Sequence, residues 1–215
     1  MNTPEGRRRA WLDSLFVDHA VLRLGWDNFA EVIPGRIYRS NHPTPARLAA
    51  AKHKYHLRSV INLRGHRQCG SDALSRDATK TLGMVHIDRA FESRGAPHKD
   101  RILDLARIAG TLVEPALIHC KSGADRAGLA SGLFLLFNGG TSAQALAQLS
   151  WRYGHVSRSR TGILDAFFLR YAREAEGKKL FLDWVREDYD ESALKQDFVA
   201  GGIANFINDR LLVRE

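Results

Sequence analysis

The residues best suited to chemistry lie in one short segment near the middle of the chain. His119 and Cys120 are followed by Arg126, with glycines at positions Gly123 and Gly128. An apolar run precedes this segment and a second apolar run follows it. The order predicts a loop between a buried strand and a helix N-terminus, where successive backbone N–H groups point at one spot. Such a loop binds an anion.

Each residue type in this segment has a separate chemical role. Gly123 allows a backbone bend that a Cβ would obstruct. Arg126 offers two parallel N–H donors that match two phosphate oxygens. The positive field of the loop favours the thiolate form of Cys120, which is the nucleophilic form. A thiolate beneath a bound phosphoryl group is placed for in-line attack on phosphorus.

The elements that must position this loop alternate between strand and helix in the first half of the chain. We expect strands at residues 30–33, 36–39, 59–63, 84–87 and 116–119, and helices at residues 8–16, from Thr44 onward and at 99–112. After residue 126 the expected elements are all helices, at residues 127–137, 143–151, 161–175, 180–187 and 192–212. This pattern predicts an α/β fold, with a small, largely parallel central sheet flanked by helices and a helical C-terminal half.

Composition narrows the class of protein. The chain has 215 residues, of which 44% are hydrophobic and 26% charged, as in ordinary globular domains. No apolar run approaches the roughly 18 residues of a membrane span, and no apolar segment follows the basic N-terminus as in a secretory signal. Two cysteines are too few for a disulfide framework, so we expect a reducing, cytoplasmic setting.

Charge points to anionic partners. The formal net charge is +8, and the first 64 residues carry 11 basic against 5 acidic side chains. A basic excess favours phosphorylated molecules, nucleic acid or acidic lipid headgroups, although it is equally compatible with a soluble basic protein whose charge has no specific role. With the loop described above, we expect a phosphorylated partner and no nucleic acid.

The segment around Cys120 resembles the signature loop of the cysteine-based protein tyrosine phosphatase superfamily, most closely its compact dual-specificity branch and bacterial relatives. Residues 37–43, followed by residues 59–64, resemble the strand–helix–strand opening of those bacterial enzymes. The resemblance covers roughly residues 30–175. It implies a phosphocysteine intermediate on Cys120 and binding of phosphate and the transition state by Arg126. It also implies phosphate-binding amides from the intervening residues, which are Lys121, Ser122, Gly123, Ala124 and Asp125.

Two features depart from the family pattern. The family usually has Ser or Thr directly after the arginine, where its hydroxyl supports the sulfur as a leaving group, and here that residue is Ala127. We therefore expect slow hydrolysis of the intermediate, unless Ser122 or a loop amide supports the sulfur instead. The family's general acid is an Asp on a loop before the signature. Asp88, at a strand end, is the first candidate for this acid, and Glu92 and Asp100 are its rivals.

These observations predict a single phosphatase-like domain over residues 1–215, with residues 176–215 as a helical extension packing on it. We expect a phosphomonoester hydrolase of the tyrosine or dual-specificity type that needs no metal or organic cofactor. The alternatives are a lipid or inositol-phosphate phosphatase on the same scaffold, with peripheral membrane contact, a weakly active phosphate-binding module, and a sulfurtransferase. Lys121 would favour a polyanionic substrate, or it is simply exposed. Cys69 is either a free thiol or a second thiol that protects Cys120.

Overall fold

The computed structural model describes residues 3–14 and 26–200 of the chain. Its contacts divide the chain into two compact units. The first comprises Met1–Ala90 and Leu112–Gly123, and the second comprises Phe91–Thr111 and Ala124–Glu215. The expectation of a single domain stays a prediction.

The first unit contains a five-stranded mixed sheet, mostly parallel. Its strands are β1 (Ala30–Ile33), β2 (Ile37–Ser40), β3 (Ser59–Asn62), β4 (Val85–Asp88) and β5 (Ala116–His119). The strand order is β1-β2-β5-β3-β4, with β1 antiparallel to β2 and the other neighbours parallel. β2, β3 and β5 are buried along their whole length. Because β5 lies between β2 and β3, the loop that follows it leaves from the middle of the sheet.

The helices α1 (Pro4–Leu12), α2 (Pro45–Tyr55) and α3 (Gly70–Thr81) accompany the sheet in this unit. α2 begins as expected: Thr44 accepts a hydrogen bond from the Arg47 amide at 3.3 Å, and proline stands in the first turn. The core between α2, α3 and the sheet is apolar, with Leu48, Val60 and Leu117 almost fully buried.

The second unit is helical. Its helices are α4 (Lys99–Ala109), α5 (Asp125–Phe137), α6 (Ser142–Ala147), α7 (Ile163–Glu174), α8 (Phe181–Glu187) and α9 (Glu191–Ala200). Aromatic rings from α7 and α8 form its core, and Phe167 lies 5.7 Å from Trp184 and 5.0 Å from Tyr189 between ring centroids. α5 approaches α6 closely, since a Cβ on Gly128 would lie 2.7 Å from the Gln148 carbonyl oxygen.

The predicted strands and the α/β class are confirmed, with small shifts at the element ends. α3 was not predicted from the sequence, and the predicted helix at 143–151 is shorter, because residues 151–153 form a separate 3-10 turn. Residues 15–16 of the first predicted helix and 201–212 of the last lie outside the described part of the chain. In residues 3–14 and 26–200, no helix is both long and apolar enough to cross a membrane.

Candidate active site

The predicted loop begins directly after β5 and runs into α5. Cys120 and Gly123 are buried, whereas the side chains of Lys121 and Arg126 are partly exposed. The segment from Cys120 to Gly123 belongs to the first unit, and Ala124, Asp125 and Arg126 belong to the second. The loop therefore joins the centre of the sheet to the first turn of α5.

The Cys120 sulfur receives a hydrogen bond from the loop itself. The Gly123 amide donates to Cys120 Sγ at 3.3 Å. Gly123 adopts a φ of +77°, and a Cβ at this position would lie 2.7 Å from the Asn41 amide nitrogen. Glycine is required here both for its backbone angle and for its close approach to the neighbouring chain, as the sequence analysis predicted.

Three consecutive carbonyl groups of the loop are bound from outside the loop. The Lys121 carbonyl accepts from the His42 amide at 3.2 Å. The Ser122 carbonyl accepts from the Asn28 side-chain amide at 3.0 Å, and the Gly123 carbonyl accepts from Arg39 at 2.6 Å. In a trans peptide the N–H points opposite to the C=O, so binding the carbonyls on one side turns the amides to the other. This arrangement can present amides to a phosphate.

Neither Asn28 nor Arg39 was singled out by the sequence analysis as part of the site. Arg39 is fully buried on β2, next to the antiparallel edge of the sheet. Asn28 is 6% exposed and has a φ of +53°, an angle that asparagine tolerates better than most residues. The available signal was a charged residue within a predicted strand, since a buried charge needs a partner.

The first turn of α5 is fixed by a buried ion cluster within the second unit. His155 Nδ1 lies 2.8 Å from Asp125 Oδ1, and His155 Nε2 lies 2.6 Å from Asp165 Oδ2. The Ser157 hydroxyl donates to Asp165 Oδ1 at 2.9 Å. Burial lowers the pKa of His155, but the hydrogen bonds and charges of the two carboxylates outweigh burial and raise it to about 9. His155 is therefore an imidazolium at neutral pH.

Ala124 precedes the first residue of α5 and offers no side-chain cap to the helix amides. The positive end of this helix is thus directed by its backbone, with Arg126 as the second helical residue. Uncapped first-turn amides and an adjacent guanidinium are suited to an anion.

A second buried polar cluster lies beside His119 in the first unit. The rings of His42 and His119 are 4.7 Å apart, and His42 Nε2 lies 2.9 Å from Asp72 Oδ1. Arg64 completes the cluster at 3.1 Å from the same oxygen. Burial raises the pKa of Asp72, but the His42 hydrogen bond and the Arg64 charge outweigh it and lower the pKa to about 2. Burial, followed by the charges of His42 and His86, lowers the pKa of His119 well below 6.5. His119 is therefore neutral.

Asp88 ends β4 in the same row of the sheet as Asn62 and His119. Two strand spacings separate it from His119, or roughly 10 Å between backbones. Its carboxylate accepts from Asn62 Nδ2 at 2.8 Å and lies 3.2 Å from His86 Nε2. Burial raises the pKa of Asp88, but Asn62, His86 and the Arg76 charge lower it overall.

The rival acids lie in the second unit. Glu92 is bound by Arg101, and Asp100 stands in the first turn of α4. The assignment of the acid stays a prediction. Cys69 is partly exposed at the start of α3, 3.7 Å from Arg64.

A cavity of about 370 Å³ opens in the first unit beside the chain that supports the loop. Asn41 lies on one wall, and its amide nitrogen would be 2.7 Å from a Cβ added at Gly123. The Phe29 and Tyr55 rings stack at 4.8 Å along another wall. Arg47 and Lys54 bring two positive charges to the same cavity, and Asp27 brings one negative charge. It could hold a flat or anionic group.

Solved structures share this fold at low sequence identity. The structure of P. aeruginosa TpbA is 18% identical to this chain with a TM-score of 0.55, and the match covers 73% of this chain and 91% of TpbA. A cysteine-to-serine form of TpbA in complex with pTyr is 17% identical with a TM-score of 0.54, and the match covers 74% of this chain and 97% of that one. The core catalytic domain of the PP-IP phosphatase SIW14 from S. cerevisiae is 16% identical with a TM-score of 0.51, and the match covers 81% of this chain and 92% of that domain.

Two sequence comparisons complete the picture of related proteins. No curated protein sequence matches the chain. The model of the tyrosine phosphatase family matches residues 25–148, which is more than half of the chain and includes the loop from Cys120 to Arg126. With the strand–loop–helix geometry around Cys120, this match shows that the chain belongs to the tyrosine phosphatase family and is a cysteine-dependent phosphatase.

Proposed function

We propose that this chain hydrolyses phosphomonoesters through a phosphocysteine on Cys120, with phosphate bound by Arg126 and the amides of residues 121, 122, 124 and 125, while the Gly123 amide supports the sulfur. The observation that carries the proposal is the Gly123 amide directed at Cys120 Sγ at 3.3 Å. A donor fixed before the reaction stabilises the negative charge of the sulfur without reorganisation. The bound loop carbonyls support the same assignment, because they leave amides for the phosphate oxygens.

The reaction has two steps. The Cys120 thiolate attacks phosphorus, an S–P bond forms as the ester P–O bond breaks, and an acid protonates the leaving oxygen. The conjugate base of that acid then takes a proton from a water molecule, whose oxygen bonds to phosphorus as the S–P bond breaks with its electron pair on sulfur, and inorganic phosphate leaves. Arg126 holds two oxygens of the transferring group in both steps.

Asp88 is the acid proposed from the sequence, but its contacts with Asn62 and His86 oppose this role. A general acid at neutral pH needs a pKa raised toward 7, and these contacts lower the pKa of Asp88. Asp88→Asn, Glu92→Gln and Asp100→Asn separate the candidates. Loss of the true acid depresses turnover of alkyl phosphates more than turnover of p-nitrophenyl phosphate, whose leaving group needs little protonation.

For the substrate, a phosphotyrosine-containing protein is our first choice. The pTyr complex of TpbA, a protein with the same fold, supports it. The favoured alternative is an inositol phosphate, supported by the two cations at the cavity, Arg47 and Lys54, and by the PP-IP phosphatase activity in the name of SIW14.

Cys120→Ser tests the chemistry and a substrate panel tests the class. Cys120→Ser should abolish turnover of an aryl phosphate while keeping inorganic phosphate binding, and a tenth of wild-type turnover would remove Cys120 from its role. Arg126→Lys should reduce kcat/KM at least about 100-fold, since an ammonium cannot make two parallel hydrogen bonds.

The panel comprises phosphotyrosine peptides, inositol phosphates and phosphatidylglycerophosphate. The double variant Arg47→Ala/Lys54→Ala should lower kcat/KM for the inositol phosphates alone if these are the substrates. Its matched control is Arg173→Ala/Lys178→Ala, which removes two exposed charges of the second unit. Equal losses in both double variants would mean that net charge, and not the cavity, steers the substrate.

A further inference from the structure

Asn28 has an unusual position for a side chain that precedes the first strand. It is buried, its φ of +53° lies in the left-handed region, and its side-chain amide donates to the Ser122 carbonyl at 3.0 Å. These two residues are 94 positions apart in sequence. Non-glycine residues in the left-handed region cluster at functional sites, where the surrounding structure holds them in place. The conformation and the distant contact of Asn28 therefore indicate a functional role.

The peptide group that Asn28 binds is the one that faces the sulfur. The Ser122 carbonyl and the Gly123 N–H belong to a single planar unit. Asn28 binds its oxygen, and its N–H donates to Cys120 Sγ at 3.3 Å. Because the unit is planar, fixing the direction of the carbonyl also fixes the direction of the N–H. A hydrogen bond to the oxygen further polarises the N–H and strengthens it as a donor.

The other two contacts act on different peptide groups. The His42 amide binds the Lys121 carbonyl, whose peptide group ends in the Ser122 N–H. Arg39 binds the Gly123 carbonyl, whose peptide group ends in the Ala124 N–H. Among the contacts described for the loop carbonyls, the one made by Asn28 is thus specific to the donor of the sulfur.

We propose that Asn28 is a positioning residue that directs the Gly123 N–H at Cys120 and so supports the sulfur as nucleophile and as leaving group. The inference rests on the proposed role of Cys120. When water attacks the phosphocysteine, the S–P bond breaks and its electron pair stays on sulfur. The Gly123 N–H stabilises that charge. It takes the place of the hydroxyl donor that Ala127 does not have.

The test compares two glycine variants in a Cys69→Ser background, where Cys120 is the remaining thiol of the chain. Asn28→Gly removes the side-chain amide and tolerates the left-handed angle. His56→Gly is the matched control, since His56 has a φ of +54°, is exposed and ends α2. Thiol ionisation is followed by the rate of iodoacetamide alkylation against pH. Turnover of p-nitrophenyl phosphate is followed in stopped flow, and binding of inorganic phosphate by competitive inhibition.

We expect Asn28→Gly to move thiol ionisation to higher pH and to slow phosphocysteine hydrolysis about tenfold, so that a burst near one equivalent of nitrophenolate appears. Phosphate inhibition should change less than about twofold, and His56→Gly should leave all three quantities at the values of its parent. An unchanged ionisation profile in folded Asn28→Gly would overturn the proposal. So would a loss of phosphate binding as large as the loss of turnover, because this would show a general collapse of the loop.

Asn28→Asp keeps the test decisive if the glycine variant fails to fold. An Asp side chain has the shape of Asn and a similar tolerance for a positive φ, but its carboxylate accepts hydrogen bonds where the Asn amide donates one. Wild-type ionisation and kinetics in Asn28→Asp would also overturn the inference. Failure of the proposed function looks different, because Cys120→Ser would then remain active whatever the Asn28 variants do.

Discussion

Gly123→Ala is the substitution that most directly probes how the loop is held. A Cβ at this position would lie 2.7 Å from the Asn41 amide nitrogen and 2.9 Å from the Ser40 carbonyl carbon and oxygen. All three are backbone atoms, which cannot turn away as a side chain does. Alanine at a φ of +77° adds about 1–2 kcal/mol of strain.

Relief of the contact must separate the loop from the chain at Ser40 and Asn41. The move would stretch the bond between Arg39 and the Gly123 carbonyl, a charge-assisted bond worth about 1.5–3 kcal/mol. The strain and the weakened hydrogen bond together amount to about 2.5–5 kcal/mol, divided between stability and catalysis. We expect a lower melting temperature and a kcat/KM for an aryl phosphate reduced about 100-fold or more, equivalent to about 2.7 kcal/mol.

Gly139→Ala is the control for strain alone. Gly139 has the same φ of +77°, and no atom lies within 4 Å of its added Cβ. The Gly139→Ala variant should lose about 1–2 kcal/mol of unfolding free energy, and its kcat/KM should be unchanged. The reasoning is refuted if Gly123→Ala keeps wild-type kcat/KM, or if thermal unfolding shows equal losses in the two variants.

Three further outcomes are expected. The free energy of unfolding should fall as pH rises from 6.5 toward about 9, because His155 in the folded protein keeps a proton that it loses in the unfolded chain. Urea titrations at several pH values should show a smaller dependence of this free energy on pH for His155→Gln. Gly128→Ala should cost about 1–3 kcal/mol by urea unfolding, since its Cβ would meet the Gln148 carbonyl at 2.7 Å. Ala127→Ser should change kcat less than about threefold, with no burst in the wild type, because the Gly123 N–H already supports the sulfur; a burst near one equivalent in the wild type would contradict this.

The sequence was informative where one local pattern decides the structure. Buried strands appear as short apolar runs, as in β5, and the order of Cys120, Gly123 and Arg126 predicts a strand–loop–helix unit that the structure contains. α3 was missed because its buried face is largely polar, with Asp72 and Thr79 fully buried in it. Leu74 and Ala78 are the apolar side chains of that buried face, and so short an apolar stripe is difficult to recognise in the sequence.

The sequence does not show what the side chain of His155 contacts. In the structure, His155 points inward and is enclosed by Asp125 and Asp165. Its charge is used to hold the first turn of α5. A buried imidazolium is recognisable only when both carboxylate partners are known, and Asp125 lies 30 positions away.

The support of the loop was missed for a related reason. Side chains that bind backbone carbonyls leave no complementary residue in the sequence, because every residue has a carbonyl. Asn28 and Arg39 reach the loop across 94 and 84 positions, and the groups they bind carry no side-chain signature. The signature motif therefore identifies the reacting groups, while the residues that orient its amides are found only from the fold. This explains how a chain with Ala127 in place of the usual hydroxyl can retain a supported sulfur: the donor is a backbone amide, and its direction is set from outside the motif.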